Sequence, residues 1–493
     1  MAAPGTGMTG PAALEAVWQG LNPQWLAGDR ARTAAWRRAV EDRRRQLDGP
    51  PGASRPLVLL AEADPVDFLA GFWAALLAGW DVVIANPHWG QQEWLSVGQR
   101  ICPTVIWGEA VPSQVGWSES AAGNLRTGVV NETESAILIP TSGSSGQVKF
   151  VRHHWQSLMA SVGGFCRFFR PAGEPVNVYC VLPVYHVSGL MQMLRAWASG
   201  GEAAIAPFKS AVSGSPVIDR GGFISLVPTQ LERLIQAGRG DWLKSFQAVL
   251  LGGAPAWPAL LDRAAELRLP LCLSYGMTET AAMVAALSPQ DFLQGDRSSG
   301  RALPHADIQI VKDEPPPGYL EPAERTVGQI VVRSEALAEP VYTDDLGYLS
   351  ADGRLHIVGR ASSKIISGGE NIFPAEVEAA LRNTGQVKDV CVVGWPHPEW
   401  GEAVTALYVP AHSTVCPESL RQALLVPHSN CTLPALSHYK LPKQWVRLPA
   451  LPRNAQGKLN RLALLRPRHQ SSQLSQASGD DGGDCADLYR RGG

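Results

Sequence analysis

Between Ile137 and Lys149 an apolar run, Ile137-Leu138-Ile139, leads into Pro140-Thr141-Ser142-Gly143-Ser144-Ser145-Gly146-Gln147-Val148-Lys149. That segment holds four hydroxyl residues and two glycines and is closed by a lysine. Such a loop can turn backbone N–H groups and hydroxyls toward one anion. Glycine permits close approach and lysine adds a point charge, so the chemistry it suits is phosphate binding. A solvated Ser/Gly linker would share the composition. The Walker A spacing is not matched here or around Gly457-Lys458, and no G-x-S-x-G nucleophile elbow is present.

Four further segments carry chemistry-capable residues. Tyr275-Gly276-Met277-Thr278-Glu279 follows an apolar strand, Leu271–Ser274, and sets an aromatic face and a carboxylate at the end where open α/β sheets bind ligands. Thr343-Asp344-Asp345-Leu346-Gly347 reads as a turn offering carboxylates. Gly359-Arg360 through Lys364 to Gly368-Gly369-Glu370-Asn371 joins a basic pair to a flexible link. Pro452-Arg453-Asn454-Ala455-Gln456-Gly457-Lys458 presents a lysine on a glycine turn. Each alone is ordinary cap or turn chemistry. His186 with Ser188 suggests nucleophilic catalysis only until the missing third group is noticed, because no orienting acid accompanies them. Arg195 stands inside the apolar stretch Val187–Trp197. It either lies on a helix's solvent face or is buried and needs an anion.

The elements that must position these residues alternate. Leu57–Leu60, Asp81–Ile84 and Thr104–Trp107 read as strands, with Phe68–Ala78 helical between the first two. Strands at Val178–Leu182, Phe223–Val227, Ala248–Leu251 and Leu271–Ser274 follow, with helices at Thr229–Gln236 and Ala256–Leu267. The pattern predicts parallel sheets with crossover helices, preceded by helices within residues 1–50. Beyond about 305, Ile308–Val311, Gly328–Val332 and Arg354–Val358 read as antiparallel strands. Pro374–Leu381 reads as a helix and Val387–Val393 as a strand, giving a small α+β unit. Three regions result: 1–359, 360–466, and a polar tail at 467–493 expected to be disordered.

The chain's 493 residues are ample for packed cores without disulfide or metal staples. With 43 Lys+Arg against 45 Asp+Glu and 18% charged residues, it has no broad footprint for nucleic acid. Eight scattered cysteines make no C-x-x-C or zinc spacing and read as reduced, mostly buried thiols. Phe68–Trp80 is too short to span a bilayer, and residues 175–194 read as buried strand and loop. No basic flank precedes an apolar stretch at the amino end, so the expected location is cytoplasmic.

Taken together, in this order, the five segments resemble the adenylate-forming superfamily of acyl-CoA synthetases, adenylation domains and luciferases, over nearly the whole folded chain. The resemblance implies a large amino-terminal α/β domain with a β subdomain, a small mobile carboxy-terminal lid, and ATP, magnesium and coenzyme A as reactants. It implies that Thr141, Ser142, Gly143, Ser144, Ser145, Gly146 and Lys149 hold the triphosphate. Thr278 serves the phosphates, and Glu279 serves the phosphates and the magnesium. Tyr275 and Gly276, with Gly253 and Ala254 of Gly252-Gly253-Ala254-Pro255, line the adenine site. Asp345 and its companion Arg360 take the ribose, and Lys458 stabilises the developing acyl-adenylate. Val148, Asp344 and Ser362 depart from the residues common at their positions.

A narrower resemblance is to the o-succinylbenzoate–CoA ligase branch, which serves menaquinone and phylloquinone synthesis. It rests on Leu182-Pro183-Val184-Tyr185-His186-Val187-Ser188-Gly189, on Val227-Pro228-Thr229-Gln230-Leu231, and on Ile365 through Pro374. It implies that His186 and Ser188 wall the acid site, that Arg195 meets the substrate's second carboxylate, and that Gly368 and Gly369 pass the pantetheine arm. Alternatives are another aryl- or acyl-CoA ligase, an adenylating enzyme that loads a carrier protein, or a nucleotide-binding regulator without turnover. Small molecules are the expected partners, with self-association left open.

Overall fold

The computed structural model describes residues 11–47, 56–109, 111–112, 115–117, 134–142, 148–214, 222–311, 327–367, 370–397, 400–425, 436, 438–453, 459 and 464. The tail at 467–493 lies outside them.

Among the described residues four sheets form. The first comprises β1 (Leu57–Leu60), β2 (Asp81–Ile84), β3 (Val105–Trp107), β4 (Ala136–Ser142) and β5 (Val148–His154), in spatial order β3-β1-β2-β4-β5. Its first four strands are parallel and β5 returns antiparallel. The second comprises β6 (Val178–Cys180), β7 (Ala203–Ile205), β8 (Phe223–Leu226), β9 (Ala248–Leu251), β10 (Leu271–Met277), β11 (Ala282–Ala286) and β12 (Arg301–Ala302), ordered β12-β11-β10-β9-β8-β6-β7. From β7 to β10 it is parallel, and β11 and β12 are antiparallel additions.

Parallel strands covered on both faces must be apolar throughout, which is why β9 is buried at every residue and β1 and β2 at their last three. The helices Pro65–Leu77, Trp155–Phe169 and Val187–Ala198 share one core with residues of both sheets. Asp64 caps the first of these, accepting from Val66 N and Asp67 N with Pro65 in the first turn, and every residue from Phe68 to Leu77 is buried. The amino-terminal helix Arg30–Gln46 adds Trp36, which packs with Trp18 and Trp25, while Trp18 also meets Trp73.

Residues 175–194, expected as strand and loop, hold β6 and then most of the helix Val187–Ala198. Apolar residues all round a helix buried on every side look from sequence like strand.

The third sheet is an antiparallel meander, β13 (Ala306–Val311), β14 (Gly328–Ser334), β15 (Val341–Leu349) and β16 (Leu355–Arg360). The fourth holds β17 (Ile365–Ser367), β18 (Glu370–Ile372), β19 (Val387–His397), β20 (Gly401–Pro410) and β21 (Gln444–Arg447). The helix Pro374–Asn383 packs its Val377 and Leu381 into that unit's own core. No helix among the described residues is long and apolar enough to cross a membrane.

Candidate active site

The carboxyl ends of four parallel strands deliver the candidate residues to one edge of the seven-stranded sheet. Segments following β6, β8 and β9 supply His186 and Ser188, Val227-Pro228-Thr229, and Gly252-Gly253-Ala254 respectively, and the end of β10 with the turn after it supplies Tyr275 through Glu279. Gly253 has φ +79°, a conformation that glycine adopts without strain, and it leaves Ala254 exposed at this edge.

Tyr275-Gly276-Met277 lies within β10 rather than after it. The strand leaves its parallel partner β9 at Leu273 and continues by pairing with antiparallel β11 across a bulge at Tyr275/Gly276. Gly276 is required there, since a Cβ would sit 1.9 Å from Ala282 O.

The Asp345 segment corrects the expectation of a turn. Thr343 through Gly347 form the middle of β15, with Thr343, Asp345 and Gly347 on the buried side and Asp344 exposed. Paired aspartates and a glycine resemble a turn in sequence, but here bulges opposite Ile330 and at Leu346/Gly347 accommodate them in a strand. Thr343 Oγ1 accepts from Asp345 N and donates to Ile330 O, at 3.1 and 2.8 Å.

Asp345 is buried and fully engaged. Its Oδ2 accepts from Tyr275 Oη at 2.8 Å, and its Oδ1 accepts from Arg360 Nε at 3.1 Å. Burial and the adjoining carboxylate push the Tyr275 phenol far above its ordinary range, so it stays a donor. Arg360 is the last residue of β16, in register with Asp345, and its side chain is mostly exposed.

Glu279 is half-buried, and its carboxylate makes no ion pair or hydrogen bond with a described residue. A hard oxygen donor at this strand edge, uncommitted among the described residues, fits magnesium. Thr141 and Ser142 end β4, and Lys149 pairs with Thr141 on β5, exposed and without an ion-pair partner among the described residues. Gly143, Ser144, Ser145 and Gly146 lie outside the described residues, as do Gly368, Gly369 and Lys458. The described strands bracket them at Ser142↔Val148, Ser367↔Glu370 and Arg453↔Leu459.

His186 precedes the helix Val187–Ala198 with extended backbone, its ring packed on Tyr185 at 4.8 Å. Ser188 is exposed in the first turn. Arg195 is not on a solvent face: it is 4% exposed, and its guanidinium lies 4.1 Å from the Phe165 ring centroid. Its Nε has no hydrogen-bond partner, and no carboxylate pairs with it among the described residues. Burial draws its pKa down to about 10.

Sequence reasoning passed over His153 and His305. His153 Nε2 lies 2.8 Å from Thr278 O, joining β5 to the Thr278-Glu279 turn. His305 is 2% exposed with neither ring nitrogen bonded. It packs where a Cβ on Gly164 would be 1.8 Å from its Nδ1. Burial, then the charges of Arg195 and Arg167, take its pKa to about 4. The His153-His154 doublet at the end of β5 was the available signal for the first; for His305 there was none.

Residues 56–342 match the AMP-binding enzyme family, and residues 376–458 match the AMP-binding enzyme C-terminal domain. A 2-succinylbenzoate–CoA ligase of Listeria monocytogenes (strain EGD-e) is 32% identical over 73% of this chain and 77% of its own length. One from Geobacillus kaustophilus is 32% identical over 68% of this chain and 69% of its own. Among solved structures, the Bacillus subtilis o-succinylbenzoate CoA synthetase in complex with its acyl-adenylate intermediate superimposes with TM-score 0.70 at 25% identity, covering 88% of this chain and 93% of that one. With the family match, the relatives and the fold in agreement, the chain is a member of the AMP-binding, adenylate-forming enzyme family.

Proposed function

We propose that the chain is an ATP-dependent, AMP-forming acid–CoA ligase whose acid is o-succinylbenzoate. The similar ligases and the shared fold support the reaction class. The observation that supports the choice of acid is Arg195, a buried guanidinium with no carboxylate partner among the described residues. A cation in that setting is costly unless an anion arrives, and an acid with two carboxylates brings one to spare.

In the first step an oxygen of the succinyl carboxylate attacks the α-phosphorus of ATP, and the bond to the β-phosphate breaks to release pyrophosphate. Thr141, Ser142, Ser144 and Ser145 with Lys149 hold the departing phosphates, and Asp345 fixes the ribose that Tyr275 and Arg360 help to frame. Lys458 meets the charge that develops on the adenylate. Glu279 holds magnesium, which when bound neutralises phosphate charge. In the second step the coenzyme A thiol attacks the acyl carbon, a C–S bond forms, AMP leaves, and the thiol proton passes to solvent. Gly368 and Gly369, free of side chains, admit the pantetheine arm while the carboxy-terminal lid turns.

A panel of acids with ATP and coenzyme A tests this directly. o-Succinylbenzoate should give thioester, AMP and pyrophosphate, well ahead of benzoate or fatty acids. Monocarboxylates ahead of it would overturn the choice of acid, and pyrophosphate without thioester would overturn coenzyme A as acceptor. Lys458→Ala should cut adenylate formation by about 100-fold or more while thioester formation from supplied acyl-adenylate survives.

A further inference from the structure

We propose that His153 is a positioning residue for the nucleotide half of the site, clamping the Thr278-Glu279 turn to the strand that carries Lys149. The proposal rests on the reading that Lys149 and Glu279 serve Mg·ATP. His153 is 2% exposed on β5, and its Nε2 meets Thr278 O at 2.8 Å. A carbonyl only accepts, so Nε2 carries the hydrogen, and burial keeps the imidazole neutral with a pKa of about 4. Nδ1 lies 3.4 Å from Ser157 Oγ.

The segment it grips is not in a relaxed conformation. Ala281 and Ala282 have φ of 52° and 80°, a region that residues with a β-carbon avoid. Such a turn persists only where its surroundings hold it. A second hold comes from Ser161 Oγ, which donates to Ala281 O at 2.8 Å from the helix that follows β5. Thr280 Oγ1, inside the turn, accepts from Met277 N and donates to Ala282 O. The turn joins β10 to β11 of one sheet, while His153 belongs to the other. Lys149 and His153 are four residues apart on β5, hence on the same side and about 13 Å apart. The His153 bond, backed by that of Ser161, therefore ties the turn that carries Glu279 to the strand that carries Lys149.

A histidine present only to fill space could be replaced by leucine; a clamp needs a donor where Nε2 stands, which glutamine supplies. The test uses full-length His153→Leu, His153→Gln and Ser161→Ala. It measures Mg·ATP dissociation constants by calorimetry without acid, the KM for ATP, thioester formation from supplied acyl-adenylate, and Tm. His153→Leu should raise the Mg·ATP Kd and the KM for ATP about tenfold, a change typical of one lost buried bond, with the thioester half-reaction within twofold of wild type. His153→Gln should recover to within threefold. Ser161→Ala, which keeps the histidine and serves if His153→Leu does not fold, should show the same signature at about threefold, with faster amide exchange at 278–282. Unchanged Mg·ATP binding in His153→Leu and Ser161→Ala, equal impairment in His153→Leu and His153→Gln, or a fall of both half-reactions in step with Tm would overturn the clamp. Failure of the wild type itself to bind Mg·ATP would instead overturn the nucleotide reading of the site, and the clamp with it.

Discussion

Asp345 and Arg195 are both buried charges, yet the protein treats them oppositely. Asp345 receives hydrogen bonds from Tyr275 and Arg360, and its segment is braced by Thr343. Among the described residues Arg195 meets the face of Phe165 and no carboxylate, and its Nε has no hydrogen-bond partner. The carboxylate is settled before any ligand arrives, so its task is to present a fixed surface. The guanidinium is left short of a partner, so the free protein bears a cost that an anionic ligand removes. Preorganisation and an unmet charge are two ways to recognise a ligand, and they should fail differently.

The largest contrast should come from Arg195→Met. Turnover of o-succinylbenzoate, measured as kcat/KM, should fall by about 100-fold or more, because one charge-assisted contact to a carboxylate is lost and the other group is left buried. Tm should hold or rise, since an uncompensated buried charge is gone. A matching fall in Tm would mean that the guanidinium has a structural role instead.

Low pH probes the surroundings of both charges. His305 beside Arg195 and His153 beneath the turn are each held near pKa 4 by burial, against about 6.5 in the unfolded chain. The unfolded state therefore takes up protons first, and stability should be full above pH 6.5 and be lost as pH falls through 4, by on the order of 3 kcal/mol per histidine. Denaturant midpoints between pH 7 and pH 4 check this, and His305→Leu should flatten the dependence.

Asp345→Asn should raise the KM for ATP by about tenfold, with the acid's KM little changed, because one charged acceptor is lost from a site that is otherwise braced. Steady-state kinetics with ATP varied at saturating acid would show it. Smallest should be Tyr275→Phe, a few-fold in the KM for ATP, since Arg360 still holds the carboxylate. An effect as large as that of Asp345→Asn would show that the phenol, not the arginine, governs Asp345.

The parallel sheets were legible in sequence because strands buried on both faces read as uninterrupted apolar runs, as in Leu57–Leu60 and Ala248–Leu251. The edge at which ligands gather followed from that order. Arg195 could be read as buried because its flanks are apolar. Thr343–Gly347 was misread because local composition favours a turn, while pairing on both sides with β14 and β16 decides for strand. Tyr275 was placed past its strand's end because only the antiparallel neighbour β11 extends β10 that far. The bond from His153 to Thr278 spans 125 positions, and no local pattern announces a contact of that range.

Arg360 closes β16 on Asp345, and Ile365 opens the first strand of the carboxy-terminal unit, with Ala361 through Lys364 between them. Five Cα steps reach at most about 18 Å even when drawn straight. If that unit turns as proposed, its first strand stays leashed within that reach of Asp345. Such a motion would be that of a door on its jamb, so the wait between the proposed half-reactions would be one of turning and not of search.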